Sequence, residues 1–372
     1  MQRKIELLTH NMIVQMKKIL FFALLLLGST SAYSATVLDS IISTAGRNGK
    51  SKAVYYYDAN ERNNLVTSYV WSANQWVYNS KTENTFDVNG NITEVIYSIW
   101  DNNVWANMYR YLYTYDANNA KTSFTYQGWN GTAWENSSRY TYKNREDGKS
   151  YEYVYYSWYQ GKWFEGDSAF TSYNAAGNPS AMRTFRYHHV ESGYERNEWV
   201  EASYVGYTYN ENNQQTQRLE QVCNYSPNKT YVNYSKYEYE YDNRGDQIHH
   251  SYSNWSNNAW KLRDSKDYVY NDAHQLTQSI LQNCVSGTCV NSQKEEYTYD
   301  AEGNILTEAI FDWYGNDWMQ SNNTQYFYHD DGSTAIENIQ TLEMNSQKIL
   351  QDGQLIIIKD GVRYNVFGVE LK

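Results

Sequence analysis

The segment Trp71-Ser-Ala-Asn-Gln-Trp76 decides the fold, because its pattern of two tryptophans around four small or polar residues recurs along the chain. The first tryptophan returns every 29 residues in the first four copies, and the last two copies are two such periods apart. The six pairs are Trp71 with Trp76, Trp100 with Trp105, Trp129 with Trp134, Trp158 with Trp163, Trp255 with Trp260, and Trp313 with Trp318. The 372-residue chain is therefore a tandem repeat with a 29-residue unit.

The residues between the tryptophans are typical of a tight hairpin turn, with Asn or Gly near the centre of each segment. Asn and Gly tolerate the positive φ that a two-residue β-hairpin loop requires. With such a loop, residues five apart face each other across two strands as a non-hydrogen-bonded pair, where side chains approach most closely. Each pair of indoles is then expected to be a cross-strand contact of about 0.2–1 kcal/mol.

One repeat carries cysteines at the tryptophan positions. Cys284 and Cys289 stand 29 residues after Trp255 and Trp260. A disulfide needs Cα atoms about 4.4–6.8 Å apart, and directly opposed strand residues come this close. In an exported chain the repeat therefore predicts a disulfide in place of a tryptophan pair, with two free thiols as the alternative. The odd cysteine, Cys223, stands at the first tryptophan position of another unit.

A second column marks the turn at the other end of each unit and reads Tyr-Asp or Tyr-Asn, followed in several copies by Gly. The Asp or Asn is expected to cap its turn by accepting a hydrogen bond from the backbone two residues on, and the Gly to take a left-handed conformation. The turn caps are Asp58, Asp87, Asp116, Asn174, Asn210, Asp242, Asn271 and Asp300. The copy at Tyr142-Lys143 has lost its Asp, and residues 144–148 are expected to form a longer turn.

Each unit thus holds two turns and two strands, which predicts an all-β antiparallel meander of roughly 18–20 strands over residues 54–331. Alternating tyrosines from Tyr109 to Tyr115 predict a tyrosine ladder on one face. On the strands that run from a Tyr-Asp turn to the next tryptophan turn, aromatic residues such as Tyr97 lie an odd number of positions from the tryptophan and should point to the other face. Either a bulge changes the face, or both faces of the sheet are partly covered. Because sheets of more than ~10 strands curl or split, we expect an open spiral or barrel-like sheet, with a β-propeller as the alternative.

The composition and charge narrow the class of protein. The chain holds 40 Tyr, 13 Trp and 10 Phe but only 2 Pro, and its net charge is −11. Tyrosine and tryptophan favour strands and combine an apolar ring with a polar group. The acidic balance argues against a nucleic-acid partner, because binding to the phosphate backbone depends on basic residues.

The N-terminal 35 residues are typical of a secretory signal peptide. Its features are the basic Lys17 and Lys18, the apolar run 19–27, and the small residues Ser34 and Ala35, after either of which cleavage is expected. The apolar run is shorter than the roughly 20 residues that a membrane span needs, so we expect no transmembrane span in the mature chain. The signal is complete from Met16, which makes Met16 a candidate start. Residues 36–53 are expected to be an N-terminal linker.

The Tyr-Asp-x-x-Gly-Asn column resembles the YD (RHS-type) repeats of secreted bacterial shell proteins. Asp87-Val-Asn-Gly-Asn and Asp300-Ala-Glu-Gly-Asn carry this resemblance, which covers most of the repeat array. The chain departs from that family in its tryptophan column and in Gly-Asn-Ile, where the family usually has Gly-Arg-Leu. The resemblance implies extracellular β-structure and contact with carbohydrate.

The C-terminal residues 348–372 follow a predicted linker over 332–347 and lack the 29-residue pattern. They predict three short strands broken at Asp352-Gly353, Asp360-Gly361 and Gly368. This segment is similar to the sorting tails of secreted Bacteroidetes proteins that use type IX secretion. The resemblance implies that outer-membrane secretion machinery is a partner and that the protein is released or attached to the outer surface. The alternative is a small β module that caps the edge of the sheet.

The sequence offers little catalytic chemistry. It contains no phosphate-binding loop, dinucleotide fingerprint, zincin motif or nucleophile elbow, so it indicates no catalytic, cofactor-binding or metal residue. His188-His189 and His249-His250 are adjacent pairs, and neighbouring strand residues point to opposite faces, which disfavours chelation. Turn segments such as Asp87-Val-Asn-Gly-Asn superficially resemble calcium loops, but the incomplete ligand set favours a capped turn.

The tryptophan columns give the functional hypotheses. An exposed strip of aromatic rings at a regular spacing can stack on sugar rings, whereas buried indoles would only join the hairpins and pack. We therefore expect a secreted, non-enzymatic β-repeat protein of the bacterial surface that binds glycans or other surface polymers. The alternatives are a structural or adhesive surface component without a soluble ligand, and an enzyme acting on polysaccharide.

Overall fold

The computed structural model describes residues 36–46, 49–188, 198–224, 229–330, 346–351, 354–359, 362–364 and 370–371. The signal peptide expected over residues 1–35, with Ser34 and Ala35, lies outside these ranges. Residues 332–345 of the predicted C-terminal linker also lie outside them. Within the described ranges no helix is long and apolar enough to cross a membrane.

Twenty strands form one antiparallel sheet in which each strand pairs with the next along the chain, and β1 also pairs with β20. The strands are β1 (Thr36–Ala45), β2 (Gly49–Tyr57), β3 (Asn63–Ser72), β4 (Gln75–Phe86), β5 (Ile92–Asp101), β6 (Val104–Tyr115), β7 (Lys121–Trp129), β8 (Trp134–Asn144), β9 (Ser150–Tyr159), β10 (Lys162–Tyr173), β11 (Pro179–His188), β12 (Glu198–Tyr209), β13 (Gln215–Asn224), β14 (Thr230–Tyr241), β15 (Gln247–Ser256), β16 (Ala259–Tyr270), β17 (Leu276–Val285), β18 (Thr288–Tyr299), β19 (Ile305–Tyr314) and β20 (Asp317–Asp330). The closed meander confirms the barrel-like prediction, and the β-propeller alternative is wrong.

The closure of the barrel corrects the prediction of a linker over residues 36–53. These residues form β1 and the start of β2. At the seam the amide of Gly46 donates to the carbonyl of Ser321 at 3.0 Å, and Ser43 Oγ lies 2.9 Å from Thr324 Oγ1. Strand β1 carries neither the tryptophan nor the tyrosine-aspartate column, so the repeat pattern gave no sign of it.

A β-bulge lies in each of the nine hairpins from β3/β4 to β19/β20 and exchanges the two faces of the sheet. In β5/β6, Trp100 pairs with Trp105 and Tyr97 pairs with Tyr109, which leaves Met108 as the extra residue on β6. Because of this residue, Trp105 and Tyr109 lie on opposite faces although their numbers have the same parity. Both sequence-based explanations for the position of these aromatic residues therefore hold, because a bulge changes the face and aromatic residues cover both faces of the sheet.

We call the two surfaces the tryptophan face and the tyrosine face. On the tyrosine face Tyr97 stacks on Tyr109 with ring centroids 4.8 Å apart, and Tyr111 stacks on Phe124 at 5.1 Å. Burial raises the pKa of Tyr113 to about 12, with a further contribution from the neighbouring Tyr115. Side chains on the concave face of a closed sheet converge and lose more water. We infer that the tyrosine face lines the barrel interior and that the tryptophan face points outward.

The barrel wall is a single layer with few completely buried side chains. The buried hydrophobic residues among those described are Val54, Ala120, Ala169, Val205 and Cys284. Most other side chains of both faces are half-buried. The wall is therefore held together chiefly by backbone pairing and by contacts between side chains on neighbouring strands.

The turns opposite the tryptophan end share one hydrogen-bond pattern. The side-chain oxygen of each turn cap accepts from the backbone amide four residues on, at 2.7–3.1 Å, and most of them also accept from the amide two residues on. These caps are Asp58, Asp87, Asp116, Asn174, Asn210, Asp242, Asn271 and Asp300. The following Gly90, Gly177, Gly245 and Gly303 have φ between 77° and 96°.

The tyrosine of this column, which precedes every cap except Asp87, ties one hairpin to the preceding one. Tyr115 Oη donates to the carbonyl of Ile92 at 2.8 Å, and Tyr299 Oη donates to that of Leu276 at 2.6 Å. The same bond recurs at Tyr57, Tyr173, Tyr209, Tyr241, Tyr270 and Tyr328. The column therefore stabilises the contact between neighbouring units as well as its own turn.

The prediction for the copy at Tyr142-Lys143 is wrong in register. The turn there runs from Arg145 to Lys149 and has the same backbone bonds as the other turns, so it is no longer than they are. Arg145 stands at the cap position, 29 residues after Asp116, and Asn144 replaces the tyrosine. Asn144 Nδ2 donates to the carbonyl of Lys121 at 3.0 Å, as the tyrosine does elsewhere. The register was missed because both column residues are changed in this copy.

The C-terminal strands form a separate four-stranded antiparallel sheet. They are β21 (Ser346–Gln351), β22 (Gln354–Lys359), β23 (Val362–Tyr364) and β24 (Glu370–Leu371). The strands break near the predicted Asp-Gly positions, but there are four strands instead of three, and β21 begins inside the predicted linker. Both sequence-based assignments of residues 348–372, a sorting tail and a cap on a sheet edge, stay predictions.

Candidate functional site

The tryptophans of each repeat lie directly opposite each other at one end of the barrel. All six pairs occupy opposed positions on neighbouring strands. Their ring centroids are 4.8–5.1 Å apart and their planes meet at 63–74°, so the edge of one indole packs on the face of the other. This edge-to-face arrangement is the favoured geometry for an aromatic pair and contributes about 0.5–1.5 kcal/mol beyond burial.

The turns between the tryptophans position the two rings. In most copies both central residues have positive φ, for example Asn102 at 49° and Asn103 at 64°. Positive φ at both positions defines the type I′ turn, whose twist matches that of the strands. The Trp129–Trp134 hairpin is different, because its loop has four residues and Asn130 Oδ1 accepts from the amides of Thr132 and Ala133. The tryptophans remain opposed in both kinds of hairpin.

The cysteines that replace one tryptophan pair form the predicted disulfide. Cys284 and Cys289 are opposed on β17 and β18 and are bonded, with Cα atoms 4.0 Å apart. This separation is slightly shorter than the range expected from the sequence. Cys223 is a half-buried free thiol opposite Tyr231.

A fifth aromatic pair extends the first four tryptophan pairs. Tyr187 lies opposite Trp199, with ring centroids 5.0 Å apart in the same edge-to-face geometry. Five successive hairpins, from β3 to β12, therefore present an aromatic pair on the tryptophan face. We call this row the tryptophan belt: Trp71 with Trp76, Trp100 with Trp105, Trp129 with Trp134, Trp158 with Trp163, and Tyr187 with Trp199. Neighbouring strands are about 4.8 Å apart, so successive pairs are about 9.5 Å apart.

A column of basic residues under the belt was not recognised from the sequence. Arg110 lies 4.9 Å from the ring centroid of Trp134, and Arg139 lies 4.7 Å from that of Trp163. Lys50, Lys81, Lys236 and Lys294 make equivalent contacts with Trp71, Trp105, Trp260 and Trp318. Each contact joins one hairpin to the next and contributes on the order of 0.5–1 kcal/mol at a half-exposed site. The 29-residue spacing of Lys81, Arg110 and Arg139 was the available signal.

Carboxylates neutralise much of this basic column. Lys81 Nζ lies 2.6 Å from Glu83, and Arg110 Nη1 lies 2.8 Å from Glu94. Lys236 with Glu238 and Lys294 with Glu296 repeat the first arrangement, each at 2.7 Å. The tryptophan face therefore offers aromatic rings with little net positive charge nearby, which suits a neutral ligand better than an anionic one.

Part of the aromatic surface of the belt is open to solvent. Trp71 is 38% exposed, and Tyr78, which contacts Trp100 and Trp105 at 5.0 and 5.4 Å, is 43% exposed. The other belt tryptophans, except the 37% exposed Trp199, are half-buried. The belt therefore combines a packing role with an accessible aromatic strip.

The remaining candidate residues do not assemble a metal centre in the described part of the chain. No group of three His, Cys, Asp or Glu side chains lies close enough there to hold a metal ion. His249 Nδ1 lies 2.6 Å from Asp267, whereas His250 Nδ1 lies 2.8 Å from Tyr268 Oη on the other face. The side chains of His188 and His189 lie outside the described part of the structure.

Comparison with known proteins adds little. No family model matches the chain, and no curated protein matches it. A protein of unknown function from Bacteroides fragilis is 17% identical, covers 33% of this chain and 87% of its own, and has a TM-score of 0.28. A porin-like protein from Bacteroides uniformis is 9% identical over 79% and 99% of the two chains, with a TM-score of 0.29. The TcdB2-TccC3 structure is 12% identical over 88% and 24%, with a TM-score of 0.23. These TM-scores are too low to carry a conclusion, so the description of the chain as a closed β-repeat barrel depends on its own strands.

Proposed function

We propose that the protein is a secreted or surface-attached bacterial β-repeat barrel that binds an extended glycan along the tryptophan belt and does not act as an enzyme. The observation that supports this proposal is the belt itself. Five aromatic pairs stand in register on neighbouring hairpins of the outward face, with exposed ring surface at Trp71, Tyr78 and Trp199.

The spacing of the belt suits an extended polymer better than a small ligand. Successive pairs are about 9.5 Å apart, which is close to the length of a disaccharide, and five pairs span about 38 Å. A linear polysaccharide could place one sugar ring against each pair and gain a small contribution at each site. Such weak, repeated contacts sum along one chain, so affinity rises with the length of the polymer.

The two ends of the sequence support the proposed localisation at the cell surface. The basic-apolar-small pattern of residues 1–35 supports export, and residues 348–372 resemble a type IX sorting tail. Deletion of residues 348–372 is expected to leave the protein in the periplasm of a host with that machinery, with an unchanged melting temperature of the barrel. Equal release of the truncated and full-length proteins would remove the sorting role.

Affinity gel electrophoresis with xylan, galactomannan, hydroxyethyl cellulose and mixed-linkage glucan tests the binding proposal. Tyr78→Ser removes an exposed ring that contacts two belt tryptophans, and it is expected to weaken retardation several-fold. Tyr151→Ser is the matched control, because Tyr151 is 37% exposed at the other end of the barrel. Equal retardation of both variants would contradict the belt as the site. Release of soluble sugar from any polymer would instead support the enzyme alternative.

A structural or adhesive role without a soluble ligand is the second candidate, and the packing of the belt favours it. Each tryptophan already has an aromatic partner, and in the first four belt pairs a Lys or Arg also packs on a ring. Under this candidate, wild-type protein shows no retardation by any of the polymers. Tyr78→Ser then changes only the melting temperature.

A further inference from the structure

The tyrosine face changes character along the barrel. At one level of the wall, each hairpin places two directly opposed side chains on this face. In the early hairpins the pair is apolar or aromatic, as in Val95 with Tyr111 and Phe124 with Tyr140. In β13/β14 it is Arg218 with Tyr237, and in the last three hairpins it is His250 with Lys266, Ser279 with Glu295, and Glu308 with Thr324. We call the six residues of the last three hairpins the polar sector.

Charged groups in the polar sector are costly for stability. A half-buried charge loses hydration, and only good partners restore that loss. The early hairpins show that the same level of the same wall accepts Val, Phe and Tyr without any charge. A local departure from a repeat pattern that the rest of the chain satisfies is characteristic of a functional site.

Glu295 is the centre of the sector's hydrogen bonds. Lys266 Nζ and Ser279 Oγ both donate to its Oε2 at 2.7 Å, and Tyr297 Oη donates to the same oxygen at 3.2 Å. Within the described residues these bonds all end on Oε2, which leaves Oε1 for a ligand. The Lys266 ammonium uses one of its three donors in this contact. The Lys266 and Glu295 side chains each keep about a fifth of their surface exposed to solvent.

Glu308 is the second carboxyl of the sector. Tyr326 Oη donates to its Oε2 at 3.1 Å, and Tyr297 Oη lies 3.5 Å from its Oε1, so Tyr297 stands between the two carboxyls. Burial raises the pKa of Glu308 above its ordinary value, and the charge of Glu295 adds to the rise, although the bond from Tyr326 opposes it. Burial also opposes the ionisation of Glu295, but Lys266, Ser279 and Tyr297 hold the pKa of that carboxyl below its ordinary value. The pKa values of the two carboxyls are therefore shifted in opposite directions.

We propose that the polar sector is a second binding site, inside the barrel, for a neutral oligosaccharide. Sugars present hydroxyl groups that both donate and accept, and the sector offers both kinds of partner within a few ångströms. Lys266 donates, Glu295 Oε1 accepts, Glu308 donates when it is protonated, and the rings of Tyr268, Tyr297 and Tyr326 supply apolar surface beside them. The ion pair of Lys266 with Glu295 is neutral overall, and Glu308 adds negative charge when it ionises and no positive charge in either state, so an anionic sugar is disfavoured.

Isothermal titration calorimetry with cellohexaose, xylohexaose, mannohexaose and chitohexaose tests the site, with hexagalacturonate as the anionic comparison. Wild-type protein is expected to bind at least one neutral hexasaccharide and to bind hexagalacturonate more weakly. Glu295→Gln and Lys266→Met are each expected to weaken the neutral hexasaccharide about tenfold or more, because a hydrogen bond to a charged group contributes about 1.5–3 kcal/mol. Tyr140→Phe removes a hydroxyl from the same face in an apolar hairpin and should leave affinity unchanged.

The pH dependence separates binding from a purely structural role of Glu308. The groups that face this carboxyl are Glu295 and Tyr297 on β18, Thr324 and Tyr326 on β20, and, farther away, Lys266 on β16. Glutamine keeps a donor at the position whatever the pH. Wild-type affinity should therefore fall as the pH rises through the folded-state pKa of Glu308, which lies above its ordinary value, whereas the affinity of Glu308→Gln should lack this fall.

Three results would overturn the proposal. One is the absence of binding to all four neutral hexasaccharides by wild-type protein. Another is binding that Glu295→Gln and Lys266→Met leave unchanged while both variants keep the wild-type melting temperature. The third is an identical pH dependence in wild-type protein and Glu308→Gln. The Tyr78→Ser variant should bind hexasaccharides normally, so failure of the tryptophan belt and failure of this site are distinguishable.

Discussion

The disulfide between Cys284 and Cys289 allows a quantitative test of the repeat. In the chain-entropy description, closing a loop of about six residues removes about 7 cal/mol/K from the unfolded chain, or about 2 kcal/mol at room temperature. Replacing both cysteines by serine should lose that amount. A barrel of this length unfolds with an entropy of roughly 0.6 kcal/mol/K, so the melting temperature should fall by about 3 °C.

The more informative variant is the double substitution Cys284→Trp and Cys289→Trp. The opposed geometry of this hairpin matches that of the six tryptophan pairs, so the two indoles should pack edge to face and return about 0.2–1 kcal/mol. The stability of this variant should therefore lie between those of the serine variant and the wild type. Differential scanning calorimetry, in a Cys223→Ser background that prevents disulfide exchange, measures all three proteins.

Reduction is the control for this series. A thiol reductant should lower the melting temperature of the cysteine-containing protein and leave the serine and tryptophan variants unchanged. The reasoning is refuted if the tryptophan variant is less stable than the serine variant, because the site would then be unable to accept the pair that other hairpins contain. It is equally refuted if thiol titration finds all three cysteines free in the native protein.

Three further predictions concern the turns. Glu61 has a φ of 60° at the position where other turns have Gly, so Glu61→Gly should raise the free energy of unfolding by about 1 kcal/mol in a denaturant titration; a loss of stability would contradict the assigned backbone conformation. Tyr115→Phe removes the bond to the Ile92 carbonyl and should cost about 0.5–1.5 kcal/mol by the same titration, whereas no change would show that the tie between hairpins contributes nothing. The hydrogen bond from the Asn91 side chain, with backbone amides, holds the pKa of Asp87 below its ordinary value, so its contribution is complete above the unfolded-state pKa of about 3.9 and is lost as the pH falls through the folded-state pKa. Asp87→Asn should therefore have a smaller loss of melting temperature on acidification than the wild type, and identical acid profiles would argue against the cap.

The features predictable from the sequence are those that the repeat itself encodes. The spacing of the tryptophans predicted opposed pairs, and the substitution of Cys284 and Cys289 at those positions predicted a bond between them. The number of strands and the curling of the sheet followed from the count of turns and from the tendency of long sheets to twist. These inferences need only local geometry, which a hairpin carries within its own few residues.

The features missed depend on contacts between units. Strand β1 has no repeat signature. It is needed only because the sheet closes, since β1 fills the position between β2 and β20. The face of each tyrosine on the second strand of a hairpin, such as Tyr109, depends on one extra residue before it, such as Met108, and nothing in the identity of that residue marks it as a bulge. The packing of Arg139 on Trp163 joins residues 24 positions apart and becomes visible only when neighbouring hairpins are aligned.

The polar sector could not be recognised from the sequence for a different reason. Carboxylates are frequent in the sequence, so Glu295 and Glu308 did not stand out from the other 40 acidic residues. Their significance arises from position, because the bulge in β18 places Glu295 and Tyr297 on the same face as Glu308 and brings Tyr297 between the two carboxyls. A search of each repeat column for positions that change from apolar to charged would have identified them.

Formation of a new disulfide by Trp100→Cys with Trp105→Cys is the most direct measurement of the central claim that residues five apart face each other in every tryptophan hairpin. The experiment uses a background in which Cys223, Cys284 and Cys289 are serine, with mass spectrometry after mild oxidation. The opposed pair should form the bond almost completely, and the slipped pair Trp100→Cys with Ala106→Cys should remain as thiols, because its side chains point to opposite faces. Free thiols in the first protein, or equal bonding in both, would contradict the account.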